Sequence, residues 1–237
     1  MNILPLKQFW NDYSPYYSAL GVSPVFQRLV RDTIEQARIS QGHRVLDLGC
    51  GPGYFLPSLV QSGASIMAVD YSEEMLARAE KRVLTTNSFA TTSQVEFTLD
   101  DAFHFLHSTS DSMFDRVIAS LFLSYFPQPE ALLMHIFRVL KPGGRIVMSN
   151  PIPNPHFSKV CLKSGWTAIQ YLLTAIQLLK YAGRIKWLGK VGVFHFFTYS
   201  ETQQLLLDVG FEVSSITITS SFADTVFLST ATKPLLR

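Results

Sequence analysis

The sequence predicts an α/β fold: a mostly parallel, seven-stranded sheet with helices on both faces, an antiparallel last strand and a helical insertion after the fifth strand. Three observations lead there. Short β-rich runs alternate with helical patterns between residues 44 and 150, the rhythm of a parallel sheet covered on both sides. The first of these runs, Val45-Leu46-Asp47-Leu48, enters a glycine-rich turn, Gly49-Cys50-Gly51-Pro52-Gly53. In open sheets of this kind ligands bind in the crevice at the carboxyl ends of the strands. Two further β-rich runs close the chain with little between them, which fits an antiparallel pair.

Taken in order, residues 1–40 form an aromatic arm and a helix. Phe9, Trp10, Tyr13, Tyr16 and Tyr17 lie close together, and Pro5 and Pro15 argue against one long helix there. Pro24 stands where a first-turn proline is tolerated, and Val25, Phe26, Leu29, Val30, Ile34 and Ala37 recur at helical spacing. Residues 41–150 form the core. After the opening strand and turn come a second strand, Ser65–Val69, a helix capped by Ser72 with Glu73 and Glu74 in its first turn, and a third strand, Val95–Leu99. Phe114–Ser120 is the fourth strand and Pro129–Leu140 a helix. The turn Lys141-Pro142-Gly143-Gly144 then feeds a fifth strand, Arg145–Ser149. Residues 151–199 are the insertion. A proline-rich exit leads to an apolar stretch from Val160 to Leu179 and a basic one from Lys180 to Lys190. From residue 200 the core resumes: Ser200 and Gln203 read as a capping box, Gly210 stops the helix, and Phe211–Thr219 and Thr225–Thr232 are the last strands.

Composition sets the outer limits. The 237 residues suit one domain with room for an insertion. A net charge of +2 is too small to argue for nucleic acid. Two cysteines make no disulfide framework, and the amino terminus lacks a basic segment followed by a long apolar run, so a cytoplasmic location is expected. No His, Asp and Glu spacing typical of a metal site stands out.

The glycine turn discriminates among nucleotides. A dinucleotide fingerprint needs a third glycine where Tyr54 stands, and a phosphate loop needs a Gly-Lys-Ser/Thr ending that is absent. Asp47, two residues before the first glycine, would repel a pyrophosphate and suits a ligand bearing an ammonium or sulfonium charge. Asp70 ends the second strand, where an acid accepts hydrogen bonds from ribose hydroxyls, and Asp101 at the end of the third could accept from an adenine amino group.

These residues resemble the motifs of class I S-adenosylmethionine-dependent methyltransferases, which have a Rossmann-like sheet. Residues 45–53 are similar to their first motif, Val-Asp-Tyr-Ser-Glu-Glu-Met-Leu at 69–76 to their second, and Leu-Asp-Asp-Ala at 99–102 to the adenine-contacting one. Phe-Asp-Arg-Val at 114–117 and Arg-Val-Leu-Lys-Pro-Gly-Gly at 138–144 complete the set. The flavour is that of the ubiquinone and menaquinone methyltransferases and related small-molecule enzymes. The resemblance implies S-adenosyl-L-methionine as cofactor. Gly49, Gly51 and Gly53 would admit it to the backbone, Asp47 would hold its ammonium, and Asp70 its ribose. Tyr71 and Met75 would lie against sugar and adenine, Asp101 and the Ala102 N–H would meet the adenine, and Ser120 and Leu121 would line the transferable methyl. Tyr16 and Tyr17 would belong to a lid. Gly53 has a competing role, permitting tight helix packing.

For the chemistry, Tyr125 occupies a slot where many relatives carry histidine or asparagine, and can orient an acceptor by hydrogen bond. His195, just before the last helix, is the preferred base, with His156 second. There is no acidic residue between Glu130 and Glu201 and no charge from Ser164 to Leu179. That uncharged run is short of the ~20 residues that span a bilayer. It suits a lid over an apolar pocket, or a helix at a membrane surface through residues 160–190. The expected partner is a hydrophobic small molecule such as a quinone precursor, polyketide or fatty-acid derivative, with O-methylation favoured because of His195 and no nucleic-acid partner. N- or C-methylation of a membrane-associated lipid or quinone is the alternative, as is a non-catalytic cofactor-binding sensor or partner protein.

Overall fold

A computed structural model describes residues 4–86, 94–153, 163, 169–212, 216–221 and 224–235. In chain order the elements are α1 (Leu4–Ala19), α2 (Pro24–Ala37), β1 (Arg44–Leu48), α3 (Leu56–Gln61), β2 (Ser65–Asp70), α4 (Glu73–Thr86) and β3 (Val95–Leu99). There follow α5 (Ala102–Ser108), β4 (Phe114–Ser120), α6 (Pro129–Val139), β5 (Leu140–Pro151), α7 (Ile169–Lys190), α8 (Tyr199–Val209), β6 (Thr217–Ser221) and β7 (Val226–Thr232). The seven strands lie in the order β3-β2-β1-β4-β5-β7-β6. All neighbours from β3 to β5 run parallel, while β7 is antiparallel to both β5 and β6, as the sequence led one to expect.

The period-two alternation of strand side chains divides the core in two. Val45, Ile66, Ala68, Ile118 and Val147 face the layer built with α1–α4 and α7. Leu46, Leu48, Met67, Val69, Val117, Met148 and Phe227 face α5, α6 and α8. The strand order reverses between β1 and β4, so the connections leave on opposite sides there and open a crevice at the strands' carboxyl ends.

Several elements depart from the sequence reading. The aromatic arm is one helix, α1, with Pro15 inside it. Pro5 falls in its first turn, where a missing N–H costs little. Tertiary contacts anchor the helix on both sides of Pro15: before it Lys7 pairs with Glu73 at 2.8 Å, Ser72 Oγ donates to Asn11 Oδ1 and Arg78 Nε donates to Ser14 Oγ, and beyond it the Tyr54 hydroxyl donates to Tyr17 O. The segment Lys141–Gly144 is a bulge within β5 and no separate turn, because partner residues jump from Phe114↔Leu140 to Arg116↔Arg145. Lys141 binds Asp115 at 2.8 Å, and Gly143 N donates to Lys233 O. The last helix starts earlier, its capping box being Thr198 and Glu201 rather than Ser200 and Gln203. Phe211 belongs to that helix's carboxyl cap, donating its N–H to Leu206 O, so β6 begins only at Thr217. The basic stretch 180–190 continues the same helix as residues 169–179. His156 and Trp166 lie outside the described residues.

Tyr54, which stands in place of a third glycine, fastens α1 to the glycine turn. Its hydroxyl accepts from Gly21 N at 3.0 Å and donates to Tyr17 O at 2.9 Å, and the Arg82 guanidinium lies 4.2 Å from its ring centroid. A Cβ at Gly21 would stand 2.1 Å from Tyr54 Cε1. Gly21→Ala is therefore expected to displace the ring and cost about 1–3 kcal/mol, as overpacking does. Tyr54→Phe, which removes two hydrogen bonds without a clash, should cost ~1–3 kcal/mol. Denaturant midpoints measure both, and an unchanged midpoint for Gly21→Ala would refute the packing argument.

Candidate active site

A cavity of about 440 Å³ opens at the carboxyl ends of β1, β2, β3 and β4. That lies within the ~300–1,000 Å³ range of small-molecule sites. Its floor is the glycine turn. Gly49, Gly51 and Gly53 take φ of 69°, 53° and 75°, the left-handed region that a side chain resists. The N–H groups of Gly49 and Cys50 both donate to Val69 O, and Gly51 N donates to Asp70 Oδ2 at 2.9 Å. The turn is thus hung from the end of β2. A Cβ at Gly49 would collide with the Phe122 ring at 2.3 Å.

Gly49, Gly51, Asp70, Tyr71, Met75, Asp101, Ala102, Ser120, Leu121 and Tyr125 all line this cavity, together with Tyr17. Four expected residues do not. Gly53 faces away, where a Cβ would meet Leu56 and Ala79 within 2.9 Å; its function is close packing of α4. Tyr16 packs against Tyr181 at 5.6 Å between ring centroids, because α1 turns residues 13 and 16 toward α7 and residues 10 and 17 toward the cavity. Asp47 is buried beneath the turn. His195, the expected base, is exposed. Its neighbours Phe194 and Phe197 point into the core, and its backbone N–H is pinned to Ser124 O at 2.8 Å. This leaves the imidazole outside the cavity, and the preference for O-methylation loses that support.

The acids differ in what holds them. Asp70 accepts from Gly51 N through one oxygen and from Ser72 N through the other. Burial pushes its carboxyl up to about 6 against the pull of those N–H groups. Asp47 is only 1 % exposed, and its Oδ2 has no hydrogen-bond partner. Burial, reinforced by the neighbouring Asp70, pushes it up to about 8. Asp101 caps α5 through Oδ1, accepting from Phe103 N and His104 N. Asp100, also in the lining, is held by the exposed His104 ring at 2.7 Å. Desolvation raises the Tyr125 phenol, so it stays protonated at neutral pH.

Sequence reasoning missed Leu6, Trp10, Phe122, Phe126 and Gln128, all in the lining. For Leu6 and Trp10 a signal exists: with Tyr17 they stand at i, i+4 and i+11, one face of a helix, hidden only by reading the prolines as breaks. Ser149 was also missed. Leu121 takes φ 51°, a strained conformation for a leucine, and Ser149 holds it there. The Leu121 N–H donates to Ser149 O and Oγ at 2.9 Å, and the Ser120 and Ser149 hydroxyls lie 2.7 Å apart.

The buried acid gives a pH dependence of definite sign. Asp47 holds its proton to about pH 8 in the folded chain, whereas the unfolded chain loses it near 3.9. Its stabilising share is complete below the lower value and is lost as pH rises toward the upper one. Asp47→Asn cannot ionise. Its advantage in stability over the parent should grow from about pH 5 to pH 8, approaching ~1.4 kcal/mol per unit, and level off above. Melting temperatures across that range measure it; a constant difference would refute it.

Comparison with known proteins agrees with this geometry. A family model described as a methyltransferase domain matches residues 39–184. Methyltransferase GfsG of Streptomyces halstedii is 32 % identical over 143 residues, 60 % of this chain and 49 % of that protein. A ubiquinone biosynthesis O-methyltransferase of Pseudomonas fluorescens is 26 % identical over 148 residues, 62 % of this chain and 60 % of that one. The match thus spans about half to three-fifths of these relatives' length. Magnesium protoporphyrin IX methyltransferase of Synechocystis, solved with S-adenosylmethionine bound, superposes with a TM-score of 0.57 at 17 % identity over 86 % of this chain and 76 % of that one, a likeness of fold. With the family model covering more than half of its length, the chain belongs to the class I S-adenosylmethionine-dependent methyltransferases.

Proposed function

We propose that the protein transfers a methyl group from S-adenosylmethionine to an acidic hydroxyl of a lipophilic small molecule. The observation that carries this reading is the mixed lining of the cavity, which combines the glycine turn and strand-end acids with the apolar and aromatic side chains of Leu6, Trp10, Leu121, Phe122, Tyr125 and Phe126. The residues fit the cofactor. The orphaned Asp47 Oδ2 beneath the turn suits an ammonium group, and each Asp70 oxygen, with one N–H already accepted, retains a lone pair for a ribose hydroxyl. Tyr71 and Met75 would flank sugar and adenine. Asp101, with Oδ2 left over from its cap, and the Ala102 N–H would take the adenine edge. Ser120 and Leu121 would line the methyl.

When bound, the cofactor supplies a methyl on a positively charged sulfur, which an in-line nucleophile displaces. The chain contributes alignment and exclusion of water. Among the described residues no histidine lines the cavity, and a protonated Tyr125 is a hydrogen-bond donor rather than a base. An acceptor acidic enough to ionise in water meets this limit, as an electron-poor phenol or a stabilised enol does. The name of the ubiquinone-pathway relative supports oxygen as the acceptor atom.

Isothermal calorimetry with S-adenosylhomocysteine should give binding that Asp70→Ala weakens at least about tenfold, the worth of ~1.4 kcal/mol of hydrogen bonding. Binding of NADH without S-adenosylhomocysteine would sink the proposal. With labelled cofactor and a series of apolar phenols, the rate should follow the acceptor's own pKa. Tyr125→Phe should lower kcat/KM by about tenfold, and His195→Ala should leave it unchanged. A His195→Ala enzyme without turnover would restore the histidine as base.

A further inference from the structure

We infer that the outer face of α7 is a docking surface for an anionic lipid bilayer. Ile176, Leu179 and Trp187 are 50 %, 44 % and 59 % exposed, and Val191, just beyond the helix, is 52 % exposed. Ile176, Gly183 and Trp187, spaced i, i+7 and i+11, run along one line of the helix. Cations border that line on both sides: Lys180 and Arg184 on one flank, Lys186 and Lys190 on the other, all exposed. Residues 169–190 contain no acid to offset them, and Arg184 lies 5.0 Å over the Phe9 ring. A tryptophan and aliphatic side chains at the centre with lysines at the rim match an interface in which apolar groups enter the acyl boundary and ammonium groups meet phosphates. No helix among the described residues is long and apolar enough to cross a membrane, so the contact is peripheral.

The opposite face of the helix is committed to the protein. Leu178, Ala182 and Ile185 are buried. Tyr181 stacks on Tyr13 at 4.6 Å and its hydroxyl donates to Asp12 O. The same α1 sends Leu6 and Trp10 into the cavity. The lipid-facing surface is therefore one helix removed from the wall proposed to hold a lipophilic acceptor. That link to the acceptor rests on the methyl-transfer reading, whereas the surface stands on its own geometry.

Vesicle co-sedimentation tests it. The full chain should bind phosphatidylcholine vesicles containing phosphatidylglycerol, and bind pure phosphatidylcholine at least about tenfold more weakly, given the ~1 kcal/mol that each basic side chain gains at an anionic surface. Raised salt should release it. A triple variant, Lys180→Glu, Lys186→Glu and Lys190→Glu, should lose at least about tenfold in partitioning while binding S-adenosylhomocysteine as the parent does. Trp187→Phe should lose the fluorescence blue shift that lipid induces. Equal sedimentation of parent and triple variant, no binding to the anionic vesicles, or self-association that buries Trp187 without lipid would each overturn the proposal. Failure to bind S-adenosylhomocysteine would instead fell the methyl-transfer reading and leave the vesicle result standing.

Discussion

Everything in the cavity depends on how the end of β2 holds the glycine turn. Val69 O takes two N–H groups from that turn and the Asp70 carboxylate takes a third. Three left-handed glycines permit a path that brings the backbone over the strand ends without a side chain in the way. The arrangement has a cost, since it buries two carboxylates on adjacent strands. Asp70 is compensated by two N–H groups. Asp47 is compensated less: burial keeps its proton on at neutral pH, and its Oδ2 has no hydrogen-bond partner. A buried acceptor without a partner is destabilising, and a ligand that brings a cation to it recovers that energy on binding. On the proposed reading, the same atom that weakens the free protein would add to its affinity for a positively charged cofactor.

The aromatic roof answers a second constraint, that of holding a proline-containing helix across the cavity. α1 is clamped to α4 by Lys7, Asn11 and Ser14, to the turn through Tyr17 and Tyr54, and to α7 through Tyr13 and Tyr181. Tyr54 links these: it replaces the glycine that a dinucleotide fold would carry and uses its hydroxyl to tie two segments of the roof. The residue that departs from the dinucleotide fingerprint thus also braces the aromatic side of the cavity.

The legible part of this protein was the part in which a residue's neighbours in space are set by local periodicity. The parallel run of strands, the antiparallel close and the carboxylates at strand ends follow from alternation and from motif spacing, and Asp70, Tyr71, Met75, Ser120 and Leu121 accordingly meet in one cavity. What was not legible depends on which way a chain segment faces. His195 lies between Phe194 and Phe197, and nothing in the sequence says that the phenyl rings take the core while Ser124 fixes the backbone. Pro15 reads as a helix break until the contacts of α1 with α4 are known. Gly53 offered two readings, and only the 2.9 Å approach to Ala79 separates them. Ser149 carries no local signal at all, since its use comes from a strained leucine on another strand.

Losing the histidine changes what the site asks of its substrate. An enclosed phenol held above its ordinary pKa by desolvation cannot accept a proton at neutral pH, and the nearby acids are engaged with backbone N–H groups or with His104. The proton must therefore leave the acceptor before or during its approach, and water is the place for it to go. A lipophilic acceptor with an acidic hydroxyl meets both demands: its ring partitions toward the aromatic wall and its oxygen arrives charged. When bound, a cofactor with a positive sulfur would attract such an oxygen, and the attraction would be stronger beside an apolar, low-dielectric wall than in water. On the proposed reading, selectivity would reside in the acceptor's acidity and apolar shape.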